Sequence, residues 1–424
     1  MHHLLYTLLI YLLLPFAPIK LLWRGVRQPE YLKHWGERFG VYGSSARAVK
    51  PLIWLHCVSV GETRAAEPLV RELQRRHPQY MILITHGTPT GRWTSKQLFA
   101  DSVERAYLPY DSPGAVKRFL HHYQPKLGLL LETELWFNLI AACKSEKIPL
   151  LLVNARLSEK SARGYAKIGK LAKGGLNSLV TIAAQTEKDA QRLQTLKGGD
   201  VAVSGNLKFD VKPPLDIFET GKNLRQKLGV GRPIFLAAST RDGEEELILD
   251  ALAHLNFPDL LTVIVPRHPQ RFDEVASLIE RRGLKYLRRS VLQQDAVAVT
   301  TDVTVVLGDS MGEMFSYYAS CDVAFIGGSL LPYGGQNLIE AATMGKPLLI
   351  GPHTFNFEEA AEQAVTYGAA VRVAQIGELS EAIDKLMRDV ELREKMGSAS
   401  LQFSRSAIGA TARIADMIEP YLST

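Results

Sequence analysis

Cysteine is nearly absent. Three occur in 424 residues: Cys57, Cys143 and Cys321. The number is odd and no C-x-x-C pair exists. A disulfide frame and a zinc ribbon are therefore excluded, and reduced, buried thiols in a cytoplasmic setting are expected. Acidic excess is missing too. Lys plus Arg number 50 and Asp plus Glu 44, a surplus of 50 − 44 = 6 positive charges. That balance favours an anionic partner, such as a membrane surface or a phosphorylated substrate. Phosphate-binding signatures are also absent. No G-x-x-x-x-G-K-[ST] occurs, and the single G-x-G, Gly229-Val230-Gly231, precedes an apolar run instead of following one. Without D-x-D, a metal-bridged diphosphate is not indicated, and the histidines form no ligand pair at helical spacing.

A comfortable membrane span is lacking as well. Leu4 to Ile19 carries no charge, but it falls short of the ~20 residues a span needs and is interrupted by Pro15 and Pro18. Lys20, Arg24, Arg27 and Lys33 follow it. A cleaved signal peptide has the opposite order, charge first and small residues last. The segment reads as an uncleaved anchor, a marginal span or an interfacial helix, with the remaining chain on the cytoplasmic side.

What is present is a rhythm. Apolar runs such as PLIWLHCVSV, YMILIT, KLGLLL and LLLVN alternate with amphipathic stretches. That is the pattern of a parallel sheet covered on both faces. KFDVKPPLDIFETG breaks it and reads as a linker. A second series then runs through PIFLAAS, LLTVIVP, VTVVLGD, VAFIGG and PLLIGP. The expected fold class is α/β, with two Rossmann-like domains and a cleft between them. The expected boundaries are 1–24 for the anchor, 25–210 and 211–405 for the two domains, and 406–424 for a terminal helix packing back on the first domain.

In such sheets ligands sit beyond the carboxyl ends of the strands. The candidates in the first half are therefore Ser59, Gly61 and Glu62, then Glu132 and Glu134, then Arg156. Glu62 opens a helix after a Ser-Val-Gly turn, where a carboxylate can act as general base. Neighbouring carboxylates can tune its pKa. Capping or a structural ion pair is the plainer reading of the same residue.

The second half offers Ser239 and Thr240, Arg267-His268-Pro269, Met311-Gly312-Glu313, and the stretch GGSLLPYGGQNLIEAATMGKP from Gly327. Its two glycine-bearing turns each lead from a strand into a helix start, which suits a phosphate. Lys208, Arg241 and Arg267 could add charge. Asn337 and Glu340, three apart beyond Gly335, share one helix face. A carboxylate there can accept both hydroxyls of a ribose. Tight turns and a favourable first-turn carboxylate are the plainer readings.

RGVRQPEYLKHWGERFG, HCVSVGE, ETELW, NARLSEKS, GNLKFD, RHPQR, GDSMGE and GPHTFNF occur in that order over nearly the whole chain. In this the chain resembles bacterial 3-deoxy-D-manno-octulosonic acid (Kdo) transferases specific for lipid A. The resemblance implies a GT-B glycosyltransferase, with the acceptor domain first and the donor domain second. It implies inverting transfer from CMP-Kdo to lipid A precursor, no cofactor and no metal. The place is the cytoplasmic face of the bacterial inner membrane, against its anionic surface, and no nucleic acid is a partner. It makes Glu62 the base, gives a role to the glutamates of ETELW, and puts Lys208, Arg267, Met311-Gly312-Glu313, Asn337 and Glu340 at the donor. The chain departs from the family pattern where Gln336 replaces a histidine, Leu338 and Ala341 replace two prolines, and Phe137 replaces another proline. The rival readings are a membrane-associated transferase using a UDP-sugar, and a non-catalytic nucleotide-binding relative.

Overall fold

The computed structural model describes residues 2–43, 50–210, 213–293 and 297–422. They form two units, Met1–Asp210 with Ile408–Thr424, and Val211–Ala407. Each is built on a seven-stranded sheet.

The first sheet contains β1 (Leu52–Cys57), β2 (Met81–His86), β3 (Glu104–Tyr107), β4 (Leu127–Leu131), β5 (Leu150–Ala155), β6 (Thr181–Ala184) and β7 (Ala202–Val203). Their order is β3-β2-β1-β4-β5-β6-β7, and every pairing is parallel. All residues of β1, β4 and β5 are buried, which is why they read as continuous apolar runs. Strand order reverses between β1 and β4. This switch point is where such sheets leave a crevice at the carboxyl ends.

The second sheet contains β8 (Ile234–Thr240), β9 (Leu261–Pro266), β10 (Tyr286–Arg288), β11 (Val305–Leu307), β12 (Val323–Ile326), β13 (Leu348–Ile350) and β14 (Ala370–Arg372). Its order is β10-β11-β9-β8-β12-β13-β14, again all parallel. Here the switch point lies between β8 and β12.

Three strands, β3, β10 and β14, carry no clear signal in the sequence. All three are sheet edges. An edge strand is short and partly charged, as Glu104-Arg105 and Arg288 are here, so the apolar run that marks a central strand is missing. The stretch read as a linker is shorter than expected, because Ile217–Leu228 is a helix that buries Ile217, Gly221, Leu224 and Leu228.

The C-terminal helix Ala410–Ile418 belongs to the first unit. It packs on β-sheet residues including Ile53, Leu55 and Leu129, and buries Ile414 and Ile418. Arg413 donates to the Ser204 carbonyl at 2.7 Å, and Arg76 pairs with Asp416 at 2.6 Å. Asp210 accepts from the amides of Gly409 and Thr411, tying the two ends of the unit together.

The N-terminal apolar segment forms α1 (His2–Leu13) and α2 (Phe16–Arg27), with a 49° bend between them at the Pro15 break. Among the described residues no single helix is long and apolar enough to cross a membrane.

Candidate functional site

At the first switch point, β1 ends and the helix α3 (Val60–Ala65) begins. Ser59 caps it, accepting from the Glu62 amide at 3.3 Å. In return the Ser59 hydroxyl donates to Glu62 Oε1 at 2.8 Å, and the Val58 amide donates to Oε2 at 2.7 Å. This is a reciprocal S-x-x-E capping arrangement, so the plainer reading of Glu62 is realised in the structure. The same bonds fix its carboxylate, and each oxygen retains a lone pair. Glu62 is 8% exposed. Burial raises its pKa most and Glu132 adds to that, while Val58, Ser59 and Lys208 oppose.

The neighbouring strand β4 delivers the other carboxylates. Glu132 follows it directly with φ 55°, a left-handed conformation costly for a residue with a side chain. Its amide is held by the Val153 carbonyl at 3.1 Å. Lys208 Nζ pairs with Glu132 Oε1 at 3.4 Å. Burial, followed by the charges of Glu62 and Glu132, pushes Glu134 up to about 7. Three carboxylates and one cation thus converge where β1 and β4 end. Lys208, read from sequence as a donor residue, has this acceptor-side carboxylate as its partner. Arg156 follows β5 with an exposed side chain, and its carbonyl accepts the Thr133 hydroxyl.

Gly61 has no structural excuse. A Cβ there would meet only Ser59 Oγ, at 3.8 Å, and the residue is exposed. Ala is the better helix former by about 1 kcal/mol. Gly61→Ala is therefore expected to hold or raise Tm while lowering kcat/KM at least ~10-fold, by crowding whatever approaches Glu62. Unchanged kcat/KM would return Gly61 to the status of an ordinary helix glycine.

Lys208 offers a second test. Removing this cation raises the Glu62 pKa, and a base works only when deprotonated. The acidic limb of the pH–rate profile of Lys208→Met is thus expected to move upward. A limb that stays in place would separate Lys208 from the titrating group.

In the second unit the turn after β12 meets the ends of β8 and β9. A Cβ on Gly327 would lie 2.5 Å from the Ser239 carbonyl oxygen, so only glycine fits this approach. Ser239 itself has φ 56°, and its hydroxyl faces Met314 Sδ at 3.8 Å. Thr240 is fully buried, with its hydroxyl on Glu245 at 2.6 Å and its carbonyl on the Arg267 amide at 2.9 Å. Its role is therefore structural support. Asn337 caps the turn, accepting from the Ile339 amide at 3.0 Å, and its Nδ2 donates to Glu340 Oε1 at 3.3 Å. Burial raises the Glu340 pKa, and Asn337 and then Arg267 oppose it. These three residues form one group. Burial and the charges of Arg241, Arg267 and Arg271 push His268 below its usual range. Pro269 opens the short turn Pro269–Arg271 beside it.

The expected amide cradle is not what this turn provides. Gly328 and Leu330 donate to the two oxygens of buried Glu244, at 2.6 and 2.9 Å. Gly335 and Gln336 donate to the Gly328 and Gly327 carbonyls. The helices behind both turns, Met314–Ser320 and Ile339–Thr343, have only seven and five residues. The side chains that could offset an anion's charge here are Arg241, stacked on Tyr333 at 4.7 Å, and Arg267. Glu313 pairs with Arg289 at 2.8 Å, while Met311 and Gly312 are exposed.

Sequence reasoning missed Glu244. It sits first in the run Glu244-Glu245-Glu246, and nothing in that run tells that the first two carboxylates turn inward or which of them meets the glycine turn.

Residues 33–211 match the family described as 3-deoxy-D-manno-octulosonic-acid transferase (kdotransferase), and residues 232–403 match group 1 glycosyl transferases. A 3-deoxy-D-manno-octulosonic acid transferase of Bordetella pertussis is 40% identical over 423 residues, covering 96% of this chain and 97% of its own. That of Haemophilus influenzae is 38% identical over 402 residues, covering 94% and 93%. Among solved structures, a glycosyltransferase from Rickettsia africae gives a TM-score of 0.58 at 15% identity, covering 88% of this chain and 98% of that one. Anabaena HepE in complex with UDP gives 0.56 at 16%, covering 87% and 100%. At such identities the likeness is one of fold, here GT-B-like, and fold does not fix a reaction.

Proposed function

This chain belongs to the Kdo transferase family and is a glycosyltransferase, and from that premise we propose that it moves Kdo from CMP-Kdo to a lipid A precursor with inversion and without a metal. The observation that carries the acceptor half is the convergence of Glu62, Glu132, Glu134 and Lys208 at the β1/β4 switch point. Glu62 takes the proton from a sugar hydroxyl of the acceptor. The oxygen attacks the anomeric carbon of Kdo from the face opposite the phosphate. The carbon–phosphate-oxygen bond breaks, and CMP leaves with the bonding pair.

The second unit holds CMP. Glu340, braced by Asn337, accepts the ribose hydroxyls, and Arg267 with Arg241 offsets the phosphate charge. Gln336 can donate a neutral hydrogen bond to the donor but cannot carry the charge of a protonated histidine. The protein works at the cytoplasmic face of the inner membrane, where its basic N-terminal segment meets anionic lipid.

The test is incubation with freshly generated CMP-Kdo and tetra-acylated lipid A precursor in detergent and EDTA, read by mass spectrometry. Product heavier by one or more Kdo units supports the proposal. Turnover only with a UDP-sugar, or only after metal is restored, overturns the corresponding part.

A further inference from the structure

The N-terminal helices have two faces of opposite character. Tyr6, Thr7, Ile10 and Leu14, then Leu21 and Gly25 across the break, form one inward stripe at helical spacing. On the other side Leu5, Leu8, Leu12, Phe16, Ile19 and Trp23 are each more than half exposed. The inward stripe of α1 is polar where it touches the domain. The Tyr6 hydroxyl donates to Asp111 Oδ2 at 2.7 Å, and the Thr7 hydroxyl donates to Asn138 Oδ1 at 2.7 Å. Asp111 also accepts the amides of Asn138 and Leu139 at 3.0 and 2.8 Å, and the Tyr6 ring stands edge-on to Phe137 at 5.2 Å. Asp111 and Asn138 are themselves 3% exposed.

A span is incompatible with these contacts. It would pull Tyr6 and Thr7 away and leave two buried polar groups without these partners. α1 by itself has 12 residues, about 18 Å of helix against ~30 Å of hydrocarbon, and only the bent pair α1–α2 has the length to cross, so the contacts of Tyr6 and Thr7 carry the argument. The occupant of the bare face follows from its chemistry. It is a continuous aliphatic and aromatic surface, and Lys20, Arg24 and Arg27 lie along α2. That combination fits the interface of an anionic bilayer.

Resting on the membrane reading above, we propose that α1 and α2 form an in-plane anchor that lies in one leaflet without crossing it. The anchor is latched to the domain through Tyr6–Asp111 and Thr7–Asn138. The latch grips the start of the helix Phe137–Ser145, directly after the segment carrying Glu132 and Glu134. It therefore holds the acceptor-side carboxylates at a fixed height above the lipid surface.

The test uses the full chain with Thr7→Cys and Asn138→Cys bridged by a short bis-thiosulfonate; the native cysteines are buried. Vesicles are phosphatidylethanolamine with phosphatidylglycerol. The bridged protein is expected to sediment with them within about twofold of the unbridged protein. In a second set, single nitroxides replace Leu5, Leu8, Leu12, Phe16 and Ile19. They should report one common shallow depth. Release on bridging, absence of any bridge, or depth that increases steadily from position 5 to 19 overturns the latch while membrane binding stands. An unbridged protein that stays in the supernatant overturns the membrane reading and the latch together, and gives the apolar face to a protein partner.

Discussion

Glu62→Gln is expected to lower kcat by about 10³-fold, the usual loss when a positioned general base is removed. The donor KM should change little, because the substitution lies in the unit assigned to the acceptor. Folding should survive. Glutamine keeps an oxygen for the Val58 amide, which now bonds Glu62 Oε2 at 2.7 Å, and it nearly preserves volume. The pH profile makes the test specific. Burial, with Glu132 adding, raises the Glu62 pKa. Its working, deprotonated form is present above that pKa and lost as pH falls through it. Wild-type kcat/KM should therefore show an acidic limb, and Glu62→Gln should show only a low, flat residual activity there. Retained turnover, or the same limb in the variant, would reduce Glu62 to the helix cap it also is.

Glu340→Ala should act on the other substrate. Hydrogen bonds to a charged group contribute about 1.5–3 kcal/mol each, so losing the pair to a ribose predicts a donor KM raised by at least about 100-fold. At saturating donor kcat should fall far less, since the lost contacts hold donor and transition state alike. Calorimetric titration with CMP checks the same loss without turnover. Equal CMP affinity in the variant would mean that Glu340 only braces Asn337 and the turn. Asn337→Ala should show a smaller loss in the same direction, because it orients Glu340 through a single 3.3 Å bond.

Much of this protein is written locally. Buried parallel strands must be apolar on both faces, so β1, β4, β5, β8 and β9 are visible as runs, and the turns after them can be found by counting. Glu62, Glu132, Glu134, Asn337 and Glu340 are legible as candidates because they lie at those turns, where such sheets receive ligands. The edge strands β3, β10 and β14 are not legible, since an edge needs less burial and leaves a weaker pattern.

Other features depend on distance in sequence. Lys208 lies 76 residues from Glu132 and reaches it only because the chain after β7 returns across the sheet ends. Glu244 is one of three consecutive glutamates, of which Glu244 and Glu245 are both buried, and only tertiary contacts decide which carboxylate receives the Gly328 and Leu330 amides. Those same bonds take up amides that a glycine-rich sequence suggests are open to phosphate. The N-terminal helix pair divides the same way. Its apolar composition is in the sequence, but Tyr6 and Thr7 look like any interfacial residues until Asp111 and Asn138 come to meet them. Sequence by itself determined the two parallel sheets, the family and the turns on which the candidate residues lie, because burial and turn geometry act on neighbours. Only the tertiary structure decided which charges pair, which amides are occupied and how the N-terminal helices lie, because hydrogen bonds and ion pairs join residues that the chain separates.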